Sequence, residues 1–328
     1  MTPKSYSPAN FTKSTVIVGS ARPKPPRFVL RRRHVLGAIA AVLVLLLIYL
    51  FGYEPAYHGT LVVRAPRPLI FAHRGFGDYG PDNSLYAVER ALEAGMDGVD
   101  VDGQLTRDGE LVVFHDLSVD RLTSGTGRVG DKTLKEMLAL DLGPKYKAGL
   151  SGAYVRTFED FVRSVKGRGT VMVELKVPGL APTGIERRAV EIIQKHDAHL
   201  SVVLSSFNPM VLHRVKQIDP LVRTAFIFMD TNWNPELIAE IKQGDLVNLP
   251  WVLRQEFIRR AIRKFIQPDM LSINHQVDEA VIERLIAKGW PAFIWTPDTQ
   301  AEIRRALAKR PYGVISDQPI LARQLRGE

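Results

Sequence analysis

His73-Arg74-Gly75 and His115-Asp116 are the residues of this chain best suited to chemistry. They flank the acidic pair Asp100-Val-Asp102. Each histidine closes a short apolar run, 69–72 for the first and 111–114 for the second. An α/β scaffold places its chemistry at the ends of buried strands. Two histidines and paired carboxylates in about forty residues suggest acid–base work beside a metal.

Asp100 and Asp102 have period-two spacing, so on one strand both point to the same face. Held close, two carboxylates repel unless a proton or cation separates them. An all-oxygen pair suits Mg²⁺ or Ca²⁺ better than zinc. The plainer reading is two solvated aspartates at a strand end. Glu174-Leu-Lys176 ends another apolar run, 171–173, and puts a carboxylate and an ammonium on one face. They would complete a site for a metal and a phosphate, or form an ordinary ion pair. Arg74 offers a planar guanidinium for bidentate phosphate binding, and Gly75 permits close ligand approach. Trp295-Thr296 and Ser316-Asp317 end two later runs. A lone tryptophan there serves as core or barrel plug as readily as ligand contact. The histidines at 34, 58, 196, 199, 213 and 275 lack such company and read as surface or structural.

These residues need strands to hold them. Apolar runs predict strands at 69–73, 98–102, 111–115, 171–175, 201–206, 223–228, 270–274, 291–295 and 313–316. Helical patterns fall at 84–94, 133–140, 157–166, 184–196, 208–218, 235–243, 254–265, 278–288 and 299–309. Asp298 or Thr299 could cap the last, with Glu302 at capping-box distance. Strand–helix alternation over this length predicts a parallel α/β sheet, and one TIM (β/α)₈ barrel fits best. A doubly wound open sheet is the runner-up. No Gly-x-Gly-x-x-Gly follows the first strand, which counts against a dinucleotide fold.

The 328-residue chain carries a net charge of +9, but unevenly. Residues 1–34 hold eight Lys/Arg and no acid, leaving 36 basic against 35 acidic residues beyond them. The basic surplus is therefore a topology signal of the tail, not a nucleic-acid patch. Residues 35–52 follow as eighteen uncharged, mostly apolar residues. As a helix they span about 27 Å, close to the hydrocarbon core of a bilayer. Tyr49 and Tyr53 suit one interface, and Arg31-Arg32-Arg33 abuts the other end. A cleaved signal peptide is the rival, but the basic region and apolar run are long and no small-x-small site follows. The expected organisation is a disordered cytoplasmic tail at 1–34, a transmembrane helix at 35–53, a linker at 54–67 and a catalytic barrel at 68–328. The positive-inside rule keeps the tail in the cytoplasm and makes this a single-pass inner- or plasma-membrane protein with an extracytoplasmic catalytic domain. The absence of cysteine excludes disulfides and thiolate chemistry.

The ordered set of motifs resembles the glycerophosphodiester phosphodiesterases. It runs from His73-Arg-Gly75 and Pro81-Asp-Asn-Ser84 through Asp100-Val-Asp102, Leu105-Thr-Arg-Asp-Gly109 and Val113-Phe-His-Asp116. Asp120-Arg-Leu-Thr123, Glu174-Leu-Lys176, Ser206-Phe207, Trp295-Thr296 and Gly313-Val-Ile-Ser-Asp317 follow. The resemblance covers about 69–320 and leaves the tail and apolar segment outside it. It implies a TIM barrel that hydrolyses glycerophosphodiesters to glycerol 3-phosphate and an alcohol. It also implies His73 and His115 as the acid–base pair, and Asp100, Asp102 and Glu174 as ligands of a divalent cation, Mg²⁺ or Ca²⁺. Arg74 and Lys176 would contact phosphate, and Trp295 would wall the alcohol pocket. Two departures stand out: the family usually has Glu at the position of Asp100, and Glu-Asn-Thr in place of Asp82-Asn83-Ser84. Asp is shorter than Glu by roughly 1.5 Å, so a working but retuned site is expected. The partners implied are a small-molecule or lipid-derived phosphodiester and the membrane, with no nucleic acid. Competing readings are a lysophospholipase D-like hydrolase of membrane lysophospholipids and a non-catalytic phosphate- or lipid-binding module.

Overall fold

The structure is a computed structural model that describes residues 32–63, 65–147, 150–177, 179–230 and 255–327. The predicted helix at 235–243 and most of the basic tail lie outside the described residues. The chain divides into two units, Met1–Leu46 and Leu47–Glu328.

The described part of the first unit is helical. Helix α1 spans Arg32–Leu47, and a π-helical turn, Ile48–Gly52, follows it in sequence. His34–Gly52 has a mean hydropathy of 2.8, long and apolar enough to cross a membrane by length and composition. Its Leu, Val and Ile side chains from Val35 to Ile48 are exposed, as a lipid-facing helix would leave them.

The second unit is a closed barrel of eight parallel strands. They are β1 (Leu69–Ala72), β2 (Gly98–Leu105), β5 (Thr170–Leu175), β6 (Val202–Ser206), β7 (Arg223–Phe228), β8 (Met270–Asn274), β9 (Ala292–Trp295) and β10 (Gly313–Ser316). Closure comes from β1, which pairs in parallel with both β2 and β10. Helices α2 (Leu85–Glu93), α5 (Phe158–Val165), α6 (Ile185–Lys195), α7 (Pro209–Ile218), α8 (Glu256–Ile266), α9 (Glu279–Ala287), α10 (Gln300–Ala308) and α11 (Pro319–Arg326) follow the barrel strands in turn. The expected capping box forms at the start of α10: Thr299 accepts from Glu302 N, and Glu302 accepts from Thr299 N. Helix α11 was not among the predicted elements.

Alternation along each strand sorts side chains between two cores. Phe71, Met172, Val203, Ala225, Met270, Phe293 and Ile315 fill the lumen, while Val99, Val101, Val171 and Val173 pack outward against the helices. Asp100, Asp102 and Glu174 therefore face inward, and the register sets Asp102 beside Glu174. Gly98 starts β2 where a Cβ would lie 2.4 Å from Thr170 O and 2.6 Å from the Phe71 ring, so only glycine fits.

One expectation needs correction. The run at 111–115 is not a barrel strand. Its ordered part, β3 (Leu111–Val113), pairs antiparallel with the overhanging end of β2, and β4 (Arg156–Thr157) pairs antiparallel with β3. β2 is eight residues long, so it outruns the barrel and seeds this small extension. The intervening chain, including α3 (Leu134–Leu138) and α4 (Gly143–Tyr146), closes over its own core of Val112, Phe114, Val119, Val129, Met137, Leu142 and Val155. Apolar periodicity registers burial but not strand direction, because both faces of β3 are covered.

The segment before the barrel is not a free linker throughout. Tyr57 packs on Trp290 with ring centroids 5.3 Å apart, and Val62 packs against the lumen cluster beside Leu69 and Tyr312.

Candidate active site

All of the inward carboxylates and both predicted histidines meet at the C-terminal end of the barrel. They line one cavity of about 620 Å³, together with Arg74, Arg121, His275, Trp295 and Asp317. His73 opens a 3₁₀ turn at the end of β1. Arg74 follows with φ 51° and Gly75 with φ 90°, a left-handed pair that turns the chain sharply after the strand. Asn83 N donates to Arg74 O at 2.7 Å and fastens that turn.

Asn83 also holds strand β2 at Asp102. Its Nδ2 donates to Asp102 Oδ2 at 2.9 Å, and Asp102 N donates to Asn83 Oδ1 at 2.8 Å. Asp82 meets Arg74 Nη1 at 3.3 Å, and Ser84 caps α2 through Ala87 N at 3.0 Å. The segment 81–84 thus ties Arg74, Asp102 and α2 together, a role that the sequence motif left unassigned.

Each histidine has its own carboxylate. His73 Nδ1 lies 2.8 Å from Asp317 Oδ1, and His115 Nδ1 lies 2.7 Å from Asp116 Oδ1. An ionised carboxylate only accepts, so each Nδ1 carries a proton. Asp116 is clamped in turn by Arg121, whose Nε and Nη2 both donate at 2.6 Å. The main chain beside His115 is pinned by Gln104 Nε2, which donates to the carbonyls of Phe114, His115 and Asp116 at 2.9, 3.1 and 2.8 Å. Because Gln104 sits on the overhang of β2, the antiparallel extension is what delivers His115 to the barrel mouth.

The two rings differ electrostatically. Burial lowers the pKa of His73, but its hydrogen bond to Asp317, with the charges of Asp317 and Asp100, outweighs that and raises it above the usual histidine value. For His115 burial wins, helped by the nearby charges of Lys176 and Arg74, and the pKa falls despite Asp102 and Asp116.

Three carboxylates share too little positive charge. Burial, with repulsion from Asp102 and Glu174, pushes Asp100 up to about 8. Burial and Asp102 push Glu174 up to about 7 against the pull of Lys176. Asp102 is the exception: burial acts to raise it, but Lys176, His115, Arg74 and the Asn83 bond hold it well below the carboxylate range. Lys176 is itself buried, with Nζ 3.2 Å from Asp102 Oδ1 and 3.6 Å from Glu174 Oε2. It is not among the residues lining the cavity, so its ammonium serves the carboxylates in this arrangement.

The donor set fits a hard divalent cation. Glu174 Oε1 is buried with no hydrogen-bond partner among the described residues, and burial and mutual repulsion push two of the three carboxylates toward protonation. Among the described residues, no three His, Asp or Glu side chains already form a ligand cluster. Lys176 takes up part of the negative charge instead.

Opposite the charged side, Phe207, Ile227 and Met229 pack with Trp295, and the Phe207 and Trp295 rings meet edge-on with centroids 5.9 Å apart. Trp295 thus belongs to an apolar wall of the cavity. His275, assigned above to surface or structure, instead lines the cavity. Nothing in its local sequence marked it. His196 and His199 are structural, paired with Glu159 at 2.8 Å and Asp219 at 3.0 Å. Asp116, Asp317 and Arg121 stood within the quoted motifs without roles, because an acid beside a histidine has no fixed partner until the fold supplies one.

Comparison with known proteins identifies the family. Residues 73–321 match the model of the glycerophosphoryl diester phosphodiesterase family. A glycerophosphodiester phosphodiesterase of Caldanaerobacter subterraneus subsp. tengcongensis is 30% identical over 254 residues, covering 77% of this chain and 95% of that protein. Among solved structures, an Oleispira antarctica phosphodiesterase in complex with the product sn-glycerol-3-phosphate superposes with a TM-score of 0.64 at 21% identity, covering 80% of this chain and 98% of that one. The Thermotoga maritima glycerophosphodiester phosphodiesterase gives a TM-score of 0.56 at 21% identity, covering 80% and 99%. These structures share the barrel, and the family match spans both histidines and every inward carboxylate of the cavity. The chain belongs to the glycerophosphoryl diester phosphodiesterase family.

Proposed function

We propose that this chain hydrolyses glycerophosphodiesters to glycerol 3-phosphate and an alcohol, with His73 and His115 as the proton-transfer pair. The observation that carries this is the arrangement of two cavity-lining histidines, each oriented by its own carboxylate, around three inward carboxylates. Family membership and the product-bound fold relative support the same chemistry.

A phosphodiester resists attack because its anionic oxygens repel nucleophiles. A divalent cation held by Asp100, Asp102 and Glu174 would supply Lewis-acid neutralisation of that charge. Arg74 adds a fixed guanidinium in the cavity, and Lys176 keeps Asp102 ionised. His115, whose pKa is lowered, is neutral and accepts the proton of the attacking hydroxyl at Nε2. The new P–O bond forms as the P–O bond to the alcohol breaks. His73, whose pKa is raised, donates its Nε2 proton to the departing alkoxide. If the nucleophile is a neighbouring glycerol hydroxyl, water opens the cyclic phosphate in a second step with the histidine roles exchanged. Trp295 and Phe207 exclude water on the alcohol side.

The apolar wall of Phe207, Ile227 and Trp295 also favours a second reading, hydrolysis of lysophospholipids, which release the same kind of headgroup alcohol but whose acyl-bearing glycerol needs an apolar surface. The helix His34–Gly52 serves as a membrane anchor in either reading, with the basic tail in the cytoplasm and the barrel outside it.

The test is release of glycerol 3-phosphate from glycerophosphocholine by the full chain, with and without EDTA, alongside choline release from lysophosphatidylcholine. EDTA-sensitive glycerol 3-phosphate release supports the first reading. Turnover of the lysolipid alone supports the second, and turnover of neither contradicts both.

A further inference from the structure

Helix α8 carries an outward stripe of Phe257, Arg260, Lys264 and Phe265, spaced i, i+3, i+7 and i+8. Phe257 and Phe265 are 50% and 58% exposed, unusual for large apolar groups on a barrel's outer helix. The end of the apolar segment lies on this stripe, within the barrel unit. Phe51 meets Phe257 edge-on with ring centroids 6.0 Å apart. Arg260 donates to Phe51 O at 3.3 Å and Gly52 O at 3.0 Å. Lys264 donates to Tyr49 O and, at 2.8 Å, to Leu50 O, and its ammonium stands 4.9 Å from the Tyr49 ring centroid. The last carbonyls of a helix lack intrahelical donors and form the negative end of its dipole, so cations from a second element satisfy both needs. Just beyond, Glu54 is buried against Arg263, which also binds Glu256 at 2.8 Å. The turn that ends the apolar segment is thus fastened to α8 by ion pairs and carbonyl caps.

We propose that the α8 face is a membrane-seating surface, with Phe257 and Phe265 in the headgroup–acyl boundary of a phospholipid bilayer. The proposal rests on the membrane reading of His34–Gly52. Tyr49, Phe51 and Tyr53 are the aromatic residues at the end of that segment, and aromatic residues mark the interface. Residues packed beside them share their depth, and α8 continues the same mixture of aromatic and basic side chains. Lysine and arginine stems can lie along the boundary while their charged ends stay at headgroup level. A groove of about 670 Å³ adjoins Phe265 and is lined also by Tyr49, His213 and Lys216, the last paired with Asp269 at 2.6 Å. A soluble partner would not explain why the exposed phenylalanines adjoin the end of the only apolar span among the described residues.

The chain contains no cysteine, so single labels can be placed without background. Full-length Phe265→Cys, Phe257→Cys, Leu43→Cys and Glu93→Cys proteins, each carrying a nitroxide, would be reconstituted into vesicles of phosphatidylcholine and phosphatidylglycerol. Glu93 is exposed on α2, across the barrel from α8 in strand order. Collision rates with oxygen, which partitions into lipid, and with a water-soluble nickel complex would be compared. The expected result is a severalfold higher oxygen-to-nickel ratio at 265, 257 and 43 than at 93. Lipid-like values at 43 with water-like values at 265 and 257 overturn the seating proposal and leave the anchor standing. Water-like values at all four positions overturn both.

Discussion

Lys176 Nζ stands 3.2 Å from Asp102 Oδ1, and the buried ammonium, with His115, Arg74 and the Asn83 bond, keeps Asp102 ionised against its burial. Burial pushes its neighbours Asp100 and Glu174 up to about 8 and about 7, Glu174 despite the pull of the same ammonium. Lys176→Met should therefore raise the proton affinity of Asp102 and remove one fixed positive charge from the site. The expected loss in kcat is about 10²–10³-fold, the scale for removing one electrostatic stabiliser. Steady-state kinetics at saturating metal would show it, and an unchanged kcat would remove Lys176 from the account.

The paired histidines predict a bell-shaped pH dependence of kcat/KM. His115 must be neutral to accept a proton, so activity rises through its pKa, which lies below the usual histidine value. His73 must be protonated to donate, so activity falls through its pKa, which lies above that value. The optimum should be a broad plateau that includes the ordinary histidine pKa. Asp317→Asn removes the main support for protonated His73 and should move the basic limb to lower pH. A basic limb left in place would mean that another group sets it.

Asp116→Asn tests positioning rather than proton transfer. Asn can turn its amide toward His115 Nδ1 and favour the wrong tautomer, and it then keeps one acceptor oxygen for Arg121 where Asp116 has two. The expected outcome is a fall in kcat with little change in KM and a normal melting temperature. Equal effects on kcat and melting temperature would mark Asp116 as structural only.

Much of this site was legible before the fold. Period-two spacing put Asp100 with Asp102 and Glu174 with Lys176, and the apolar runs located every barrel strand to within a residue or two at most ends, β2 running three residues further. What was not legible depends on partners distant in sequence. Asp317 reaches His73 across 244 positions, and Glu54 reaches Arg263 across 209. The direction of β3 was hidden because burial on both faces erases alternation. Helix α11 is faint in the sequence because Gln318 makes no side-chain capping bond and the helix buries only Pro319 and Ala322.

Asp100 is the ligand candidate in which this chain departs from the family's usual glutamate. Asp100→Asn should raise the metal concentration needed for half-maximal activity by about tenfold or more, the scale on which even outer-shell partners alter metal affinity. Asp100→Glu should lower it or leave it unchanged. Isothermal titration with Mg²⁺ and Ca²⁺ gives an independent reading, and equal affinity in wild type and Asp100→Asn would exclude Asp100 as a ligand.

Two stability effects follow from packing. Gly98→Ala drives a Cβ into Thr170 O and the Phe71 ring and should cost about 1–3 kcal/mol. Arg263→Met leaves Glu54 and Glu256 without their shared buried cation and should cost about 3–5 kcal/mol. Thermal melts of the purified full chain would rank Arg263→Met below Gly98→Ala, and a wild-type melt for Arg263→Met would show that the ion cluster adds nothing.

The central claim is two-histidine catalysis of phosphodiester hydrolysis, and its most direct measurement is single-turnover release of glycerol 3-phosphate from glycerophosphocholine by wild type, His73→Ala and His115→Ala. The account predicts metal-dependent release by wild type and a loss of several orders of magnitude in each variant, with folding and metal binding intact. Near-wild-type release by either variant would contradict it.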